Sequence, residues 1–250
     1  MSLITVERIK LFSTKSPYWC VAASVAASLL IALAIGLGDR GRQAIPYFAL
    51  RGVGLGLDIF MVMATLAVTT EYRFSTLRST FLAVPKRTNV LLAKTLLLAA
   101  VGAVVGFVCA MAAFFLAKAL AKEPPLPFVL QGEAWREVAG YAALFAIAAV
   151  IAVSVGTLLR QSAGAITLLL LWPLLVESLF TLIPTVGPKV APWLPFTAGN
   201  EFVTPTFDVA GIRDVVKTSG PSPIQGLLVF LATAVVLWLI AAFVLNRRDA

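Results

Sequence analysis

The sequence predicts an all-α integral membrane protein that crosses the bilayer six times. Of its 250 residues 60% are hydrophobic and 13% charged, whereas a soluble domain is closer to half apolar and a quarter charged. The mean hydropathy is +0.96. The apolar residues fall into six runs, each near the roughly 20 residues a helix needs to cross the hydrocarbon. Basic residues gather at the ends of those runs, so the formal charge of +8 reads as membrane topology and not as a nucleic-acid-binding stripe.

Residues 1–16 carry Glu7, Arg8, Lys10 and Lys15 among apolar residues that form no single clean helical face. Pro17 is placed to start a helix. The first span, about 18–38, has no charge and opens on Tyr18 and Trp19, an interfacial anchor. It is longer than the roughly 7–15-residue apolar region of a cleaved signal peptide. Gly36 to Gly41 matches GxGxxG, but it follows a membrane helix and no βαβ unit surrounds it, so it reads as a chance match in a turn. No Walker A sequence occurs, so P-loop ATP binding is not expected on this chain.

The second span, about 52–70, contains Asp58, and the third covers about 90–117. Gly102 and Gly106 give the third a GxxxG step, repeated by Gly52 and Gly56 in the second. Packing within one subunit is the favoured reading of both over a subunit interface. A polar break with Pro124, Pro125 and Pro127 precedes the fourth span, about 138–159. Arg160-Gln161-Ser162 makes a very short connection to the fifth, about 164–183, which carries Glu177 and is expected to kink at Pro173. Residues 184–223 hold seven prolines, too broken for a spanning helix, and the sixth span covers about 224–246. The whole of 1–250 reads as one transmembrane domain.

The loop over 71–89 is the most informative stretch. Phe74, Leu77, Phe81 and Val84 recur at helical spacing, with Glu71, Ser75, Arg78 and Ser79 on the other side. Pro85 stops that helix, and Lys86 and Arg87 follow. The pattern predicts a short amphipathic helix, a proline stop and a basic knot between two membrane helices.

The absence of histidine removes histidine-zinc proteases, histidine phosphatases and serine-histidine hydrolases. Cys20 and Cys109 both lie in apolar runs without CxxC spacing and read as buried thiols.

Glu71-Tyr72-Arg73, Ser75-Thr76, Leu82, Pro85 and Lys86-Arg87 resemble the cytoplasmic loop of ABC-2 type permeases, the membrane subunits of ABC exporters. Ser75 stands where that family usually has glycine. The resemblance extends to the Glu7-Arg8-Ile9-Lys10-Leu11 entry, the turn over 159–165, the Trp193-Leu194-Pro195-Phe196 segment and the Arg247-Arg248-Asp249-Ala250 ending. It implies a non-catalytic permease that exports a small amphipathic molecule, drug or lipid across a bacterial plasma membrane. ATP and Mg would be bound by two copies of a separate ATPase subunit, and the chain would pair with a second copy or a paralogue. The docking residues carried over are Glu71, Arg73, Phe74, Ser75, Thr76, Leu77, Arg78, Phe81, Pro85, Lys86 and Arg87. The resemblance also implies an interfacial N-terminal helix, and short re-entrant helices in the outer segment 184–223.

Six spans put both termini on one side. A cytoplasmic placement assigns eleven of the 20 basic residues to the inner pieces and nine to the outer ones, a weak bias, so the docking loop decides the orientation. Asp58 and Glu177 then fall about 10 Å from the outer end and about 20 Å from the inner end of their helices, both in the outer half of the membrane. A carboxylate in hydrocarbon costs about 2.5–3.5 kcal/mol and needs a partner or water. The two acids are candidates for the substrate pathway, with structural roles as the alternative. Two other classes stay open: a secondary transporter using Asp58 and Glu177 as coupling-ion groups, and a membrane enzyme built on carboxylates or a serine-lysine dyad.

Overall fold

The computed structural model describes residues 3–38, 45–74, 76–84, 86–122, 124, 128–184, 186–205 and 220–247, with the backbone alone for 77–79 and 83. The described residues are helical, without strands. In chain order the elements are α1 (Leu3–Phe12), α2 (Ser16–Leu37), α3 (Pro46–Arg73), α4 (Thr76–Ala83), α5 (Arg87–Leu120), α6 (Glu133–Leu159), α7 (Ser162–Leu171), a π-helical turn (Trp172–Val176), α8 (Glu177–Thr181), α9 (Gly187–Val190), a 3-10 turn (Ala191–Trp193), α10 (Pro195–Glu201) and α11 (Pro223–Arg247). Six helices are long and apolar enough to cross a membrane: α2, α3, α5, α6, the run Ser162–Thr181, and α11. The protein is therefore a multi-pass membrane protein by length and composition.

α6 is the axis of the bundle. Its most apolar stretch is 67% buried, against 22% for α2 and α11 and 17% for the fifth span. α3, α5, α7 and α11 pack around α6, and α2 lies outside against α3 and α5. Where lipid surrounds a helix, association rests on close packing more than on water exclusion, and small residues permit it. The two GxxxG steps are used this way inside the chain. A Cβ on Gly106 would lie 2.5 Å from the Tyr141 carbonyl, and one on Gly102 2.9 Å from that of Phe145. Gly52 and Gly56 meet Ser28 and Ser24 of α2 equally closely.

Helix boundaries follow local chemistry. Pro46 and Pro17 open α3 and α2, where a missing amide proton costs nothing. Arg160 ends α6 in the left-handed conformation, φ 55°, leaving two residues before α7. Pro173 sits within the π-helical turn, where the Glu177 amide reaches back to the Trp172 carbonyl. The expected disturbance at this proline is thus a wide turn inside the fifth span. Of the GxGxxG match, Gly36 lies inside α2 against Leu120, while Asp39, Arg40 and Gly41 lie outside the described residues.

Between the fifth and sixth spans, the described residues 186–205 are helical in part and anchored. α10 packs on α11 so tightly that a Cβ on Gly226 would fall 2.1 Å from the Ala198 carbonyl. Gly226→Ala is expected to destabilise the protein by about 1–3 kcal/mol. Gly54→Ala meets open space and should be neutral or stabilising by up to about 1 kcal/mol. Thermal unfolding of the two variants in nanodiscs checks the contrast.

Candidate functional site

The loop between α3 and α5 stands on a buried ionic network. α3 does not end at Thr70 but runs to Arg73, so Glu71 occupies its last turn and is only 9% exposed. α5 begins at Arg87, so Lys94 stands two turns into it, 6% exposed. α1 brings Glu7, 3% exposed, against both. Lys94 pairs with Glu7 Oε2 and lies 3.0 Å from Glu71 Oε1. Lys10 Nζ lies 3.1 Å from Glu7 Oε1 and 3.4 Å from Glu71 Oε1. Two ammoniums and two carboxylates thus balance within one cluster tying α1, α3 and α5.

Burial alone works against the Lys10 charge, yet the carboxylates of Glu71 and then Glu7 outweigh it and hold its pKa above the ordinary lysine value of 10.5. Its stabilising effect is present below that ordinary value and is lost only as pH climbs through the raised folded pKa.

Above this base, α4 spans Thr76–Ala83 and is joined to α3 through a break at Phe74. The Thr76 hydroxyl donates to the Glu71 carbonyl (3.4 Å), and the Thr80 hydroxyl receives a bond from Lys10 (3.1 Å). Phe81 is half-buried and packs against the core, as its place in the apolar stripe predicts. Phe74 departs from that stripe: the end of α3 turns it outward, 68% exposed, beneath the guanidinium of Arg73 at 5.6 Å. Leu82, beyond the stripe, is 87% exposed. Leu77 and Arg78 lie on α4 with side chains outside the described atoms, and Ser75 and Pro85 lie outside the described residues.

The basic knot divides in two. Lys86 is exposed. Arg87 stacks over Phe81 at 5.4 Å and donates to the Leu245 carbonyl at 3.2 Å. That carbonyl belongs to the last turn of α11, where a cation is favoured by the helix dipole. Thr88 and Asn246 add a hydrogen bond beside it (3.0 Å). Arg87 therefore fastens the loop to the sixth span, while Lys86 remains at the surface.

The two candidate pathway acids have unlike surroundings. Asp58 is half-buried on α3 and has no hydrogen-bond or ion-pair partner among the described residues; Arg51, seven residues away, stacks instead on Tyr47 at 5.7 Å. Glu177 is 2% exposed and fully bonded. Its Oε1 accepts from Trp172 Nε1 (3.1 Å) and the Phe196 amide (3.0 Å), and its Oε2 from the amide (2.7 Å) and hydroxyl (2.8 Å) of Thr197. Those amides are among the first of α10, so Glu177 caps that helix from the fifth span. The geometry gives Glu177 an anchoring role.

Sequence reasoning passed over Glu7, Lys10 and Lys94 as topology charges and over Glu137 as the edge of a polar break. Glu137 lies in the second turn of α6, 2% exposed, with Oε2 buried and unbonded among the described residues. Arg136 beside it holds Glu133 and the carbonyls of Phe202 and Thr204, pinning the chain just after α10 to α6. Among the described residues no histidine, cysteine or carboxylate cluster fit for a metal is formed. No family model matches the chain, and no curated protein matches it.

Proposed function

We propose that this chain is the membrane subunit of an ATP-driven ABC exporter for a small amphipathic molecule, drug or lipid. In this reading two permeases, identical or paralogous, act with two ATPase chains that bind ATP and Mg, and both termini face the cytoplasm of a bacterial cell. What carries the reading is the construction of the loop. Phe74, at the end of α3, and Leu82, on the short helix α4, expose two large apolar side chains between two membrane helices. Beneath them the loop is braced by the Glu7–Lys10–Glu71–Lys94 network and by Arg87 on α11. A lever that moves spans must be rigid below and sticky above, and exposed apolar side chains of this size serve as anchors for a partner. ATP-driven closure of the ATPase pair would push on α4, and the network would pass that push to α1, α3 and α5.

The test is whether a neighbouring reading frame encodes a soluble P-loop ATPase and whether that ATPase co-purifies with this chain. Leu82→Asp with Phe74→Asp is expected to weaken ATPase association by about 2 kcal/mol or more, roughly thirtyfold, with membrane insertion unchanged. Association at the wild-type level in that variant rejects the docking assignment.

A further inference from the structure

A cavity of about 470 Å³ lies between α1, the start of α2 and the ends of α3 and α5. That size falls in the range of roughly 300–1,000 Å³ common to small-molecule sites. Its rim carries the exposed hydroxyl residues Ser13, Thr14, Ser16 and Thr76. Inside, the half-buried Leu66, Ala67 and Leu97 line it from α3 and α5, and the more deeply buried Leu11, Met63 and Leu98 close it. The Glu7–Lys10–Glu71–Lys94 network stands along one side.

The depth of the cavity says what surrounds it. The apolar runs of the second and third spans end at Thr70 and Val90. By helical rise, Met63 lies about 10 Å inside the first limit and Leu98 about 12 Å inside the second. One leaflet of hydrocarbon is about 15 Å thick. The cavity therefore runs from a hydroxyl-bearing rim at the membrane surface through most of one leaflet. Water held in such a place needs several polar partners, and the side chains of Leu66, Ala67 and Leu97 offer none. An unfilled void of this size forfeits packing contacts on the scale of a domain's whole stability. The network selects no head charge, because its two ammoniums and two carboxylates balance one another. Recognition falls to the apolar wall.

We propose that this cavity holds one acyl chain of a bilayer phospholipid, taken from the leaflet on the side of the α3–α5 loop. The chain lies under α1 against Leu66 and Leu97, with the ester end at the hydroxyl rim. It keeps water from the flank of the ionic network and seats α1 on α3 and α5. The inference goes beyond the exporter reading and does not depend on it, since occupancy requires neither ATP nor a partner.

The experiment uses the full-length protein in phosphatidylcholine nanodiscs. The probe is a phosphatidylcholine with a diazirine in one acyl chain, compared with the free fatty acid of the same chain. Val104, 64% exposed on α5, sets the level of labelling by bulk lipid. Photolabelling by the phospholipid is expected on Leu66 and Leu97 at a level comparable with Val104. Leu66→Trp and Leu97→Trp fill the cavity from different walls and leave all four charges in place, so one serves if the other does not fold. Each should cut labelling of the opposite wall about tenfold or more and leave Val104 unchanged. In a background with Cys20 and Cys109 changed to Ala, Leu97→Cys should resist a charged, water-soluble thiol reagent. Rapid reaction of that cysteine would show a water-filled cavity and overturn the proposal. So would wall labelling indifferent to both tryptophan variants, or wall labelling by the free acid alone, which would make this a site for a soluble amphiphile.

Discussion

Lys94→Ala is expected to cost about 3–5 kcal/mol of stability, the range for removing one partner of a buried ion pair. The substitution leaves Glu7 and Glu71 together in a poorly solvated site with only Lys10, itself a third exposed, to balance both. The loss should far exceed that of exposed Arg8→Ala or Lys86→Ala, which fall within about 0.5 kcal/mol. Removing an opposite charge at the same time should recover much of it. Lys94→Met with Glu7→Gln leaves the neutral Lys10–Glu71 pair, and replacing both members of a buried pair is often close to neutral. Unfolding in nanodiscs, followed through the tryptophans, reads both variants. A double variant no more stable than Lys94→Ala would mean that the cluster acts through shape alone.

Glu177→Ala is expected to release α10 at a cost of about 2–4 kcal/mol, since four donors lose a charged acceptor. Glu177→Gln should not restore it fully. A glutamine amide offers one oxygen and one donor nitrogen, and the nitrogen must then face amides or a hydroxyl that are themselves donating. The variants should therefore rank wild type, then Gln, then Ala. The readout is the accessibility of a cysteine placed at Thr204 to an impermeant thiol reagent, with Cys20 and Cys109 changed to Ala. Equal protection in all three would show that α10 stays seated without the cap.

The six crossings were legible because each is a sustained apolar run, a property of neighbours in sequence. What sequence concealed was the pairing of charges. Lys94 stands four residues past Val90, so it reads as the edge of a span; helix α5 starting at Arg87 carries it inside. Glu71 reads as the first residue of a loop because the apolar run stops at Thr70, yet the helix continues to Arg73. Glu7 and Lys94 are 87 positions apart, and no local periodicity encodes that meeting. Glu177 was visible as an acid within an apolar run. Its amide partners, Phe196 and Thr197, sit behind Pro195, itself a helix-start signal, so an acid in search of amides and a helix in search of a cap were both readable singly. The outward turn of Phe74 follows from the break between α3 and α4, which the spacing of apolar residues smoothed into one continuous helix.

The left-handed Arg160 bears on how the protein is made. With two residues between α6 and α7, an extended linker reaches at most about 7 Å, so the joined ends of the two helices stay together throughout synthesis. The expected course is entry into the bilayer as a helical hairpin. α6 is then escorted into the bilayer by a companion still attached to it, before α11 has been translated to complete its surroundings.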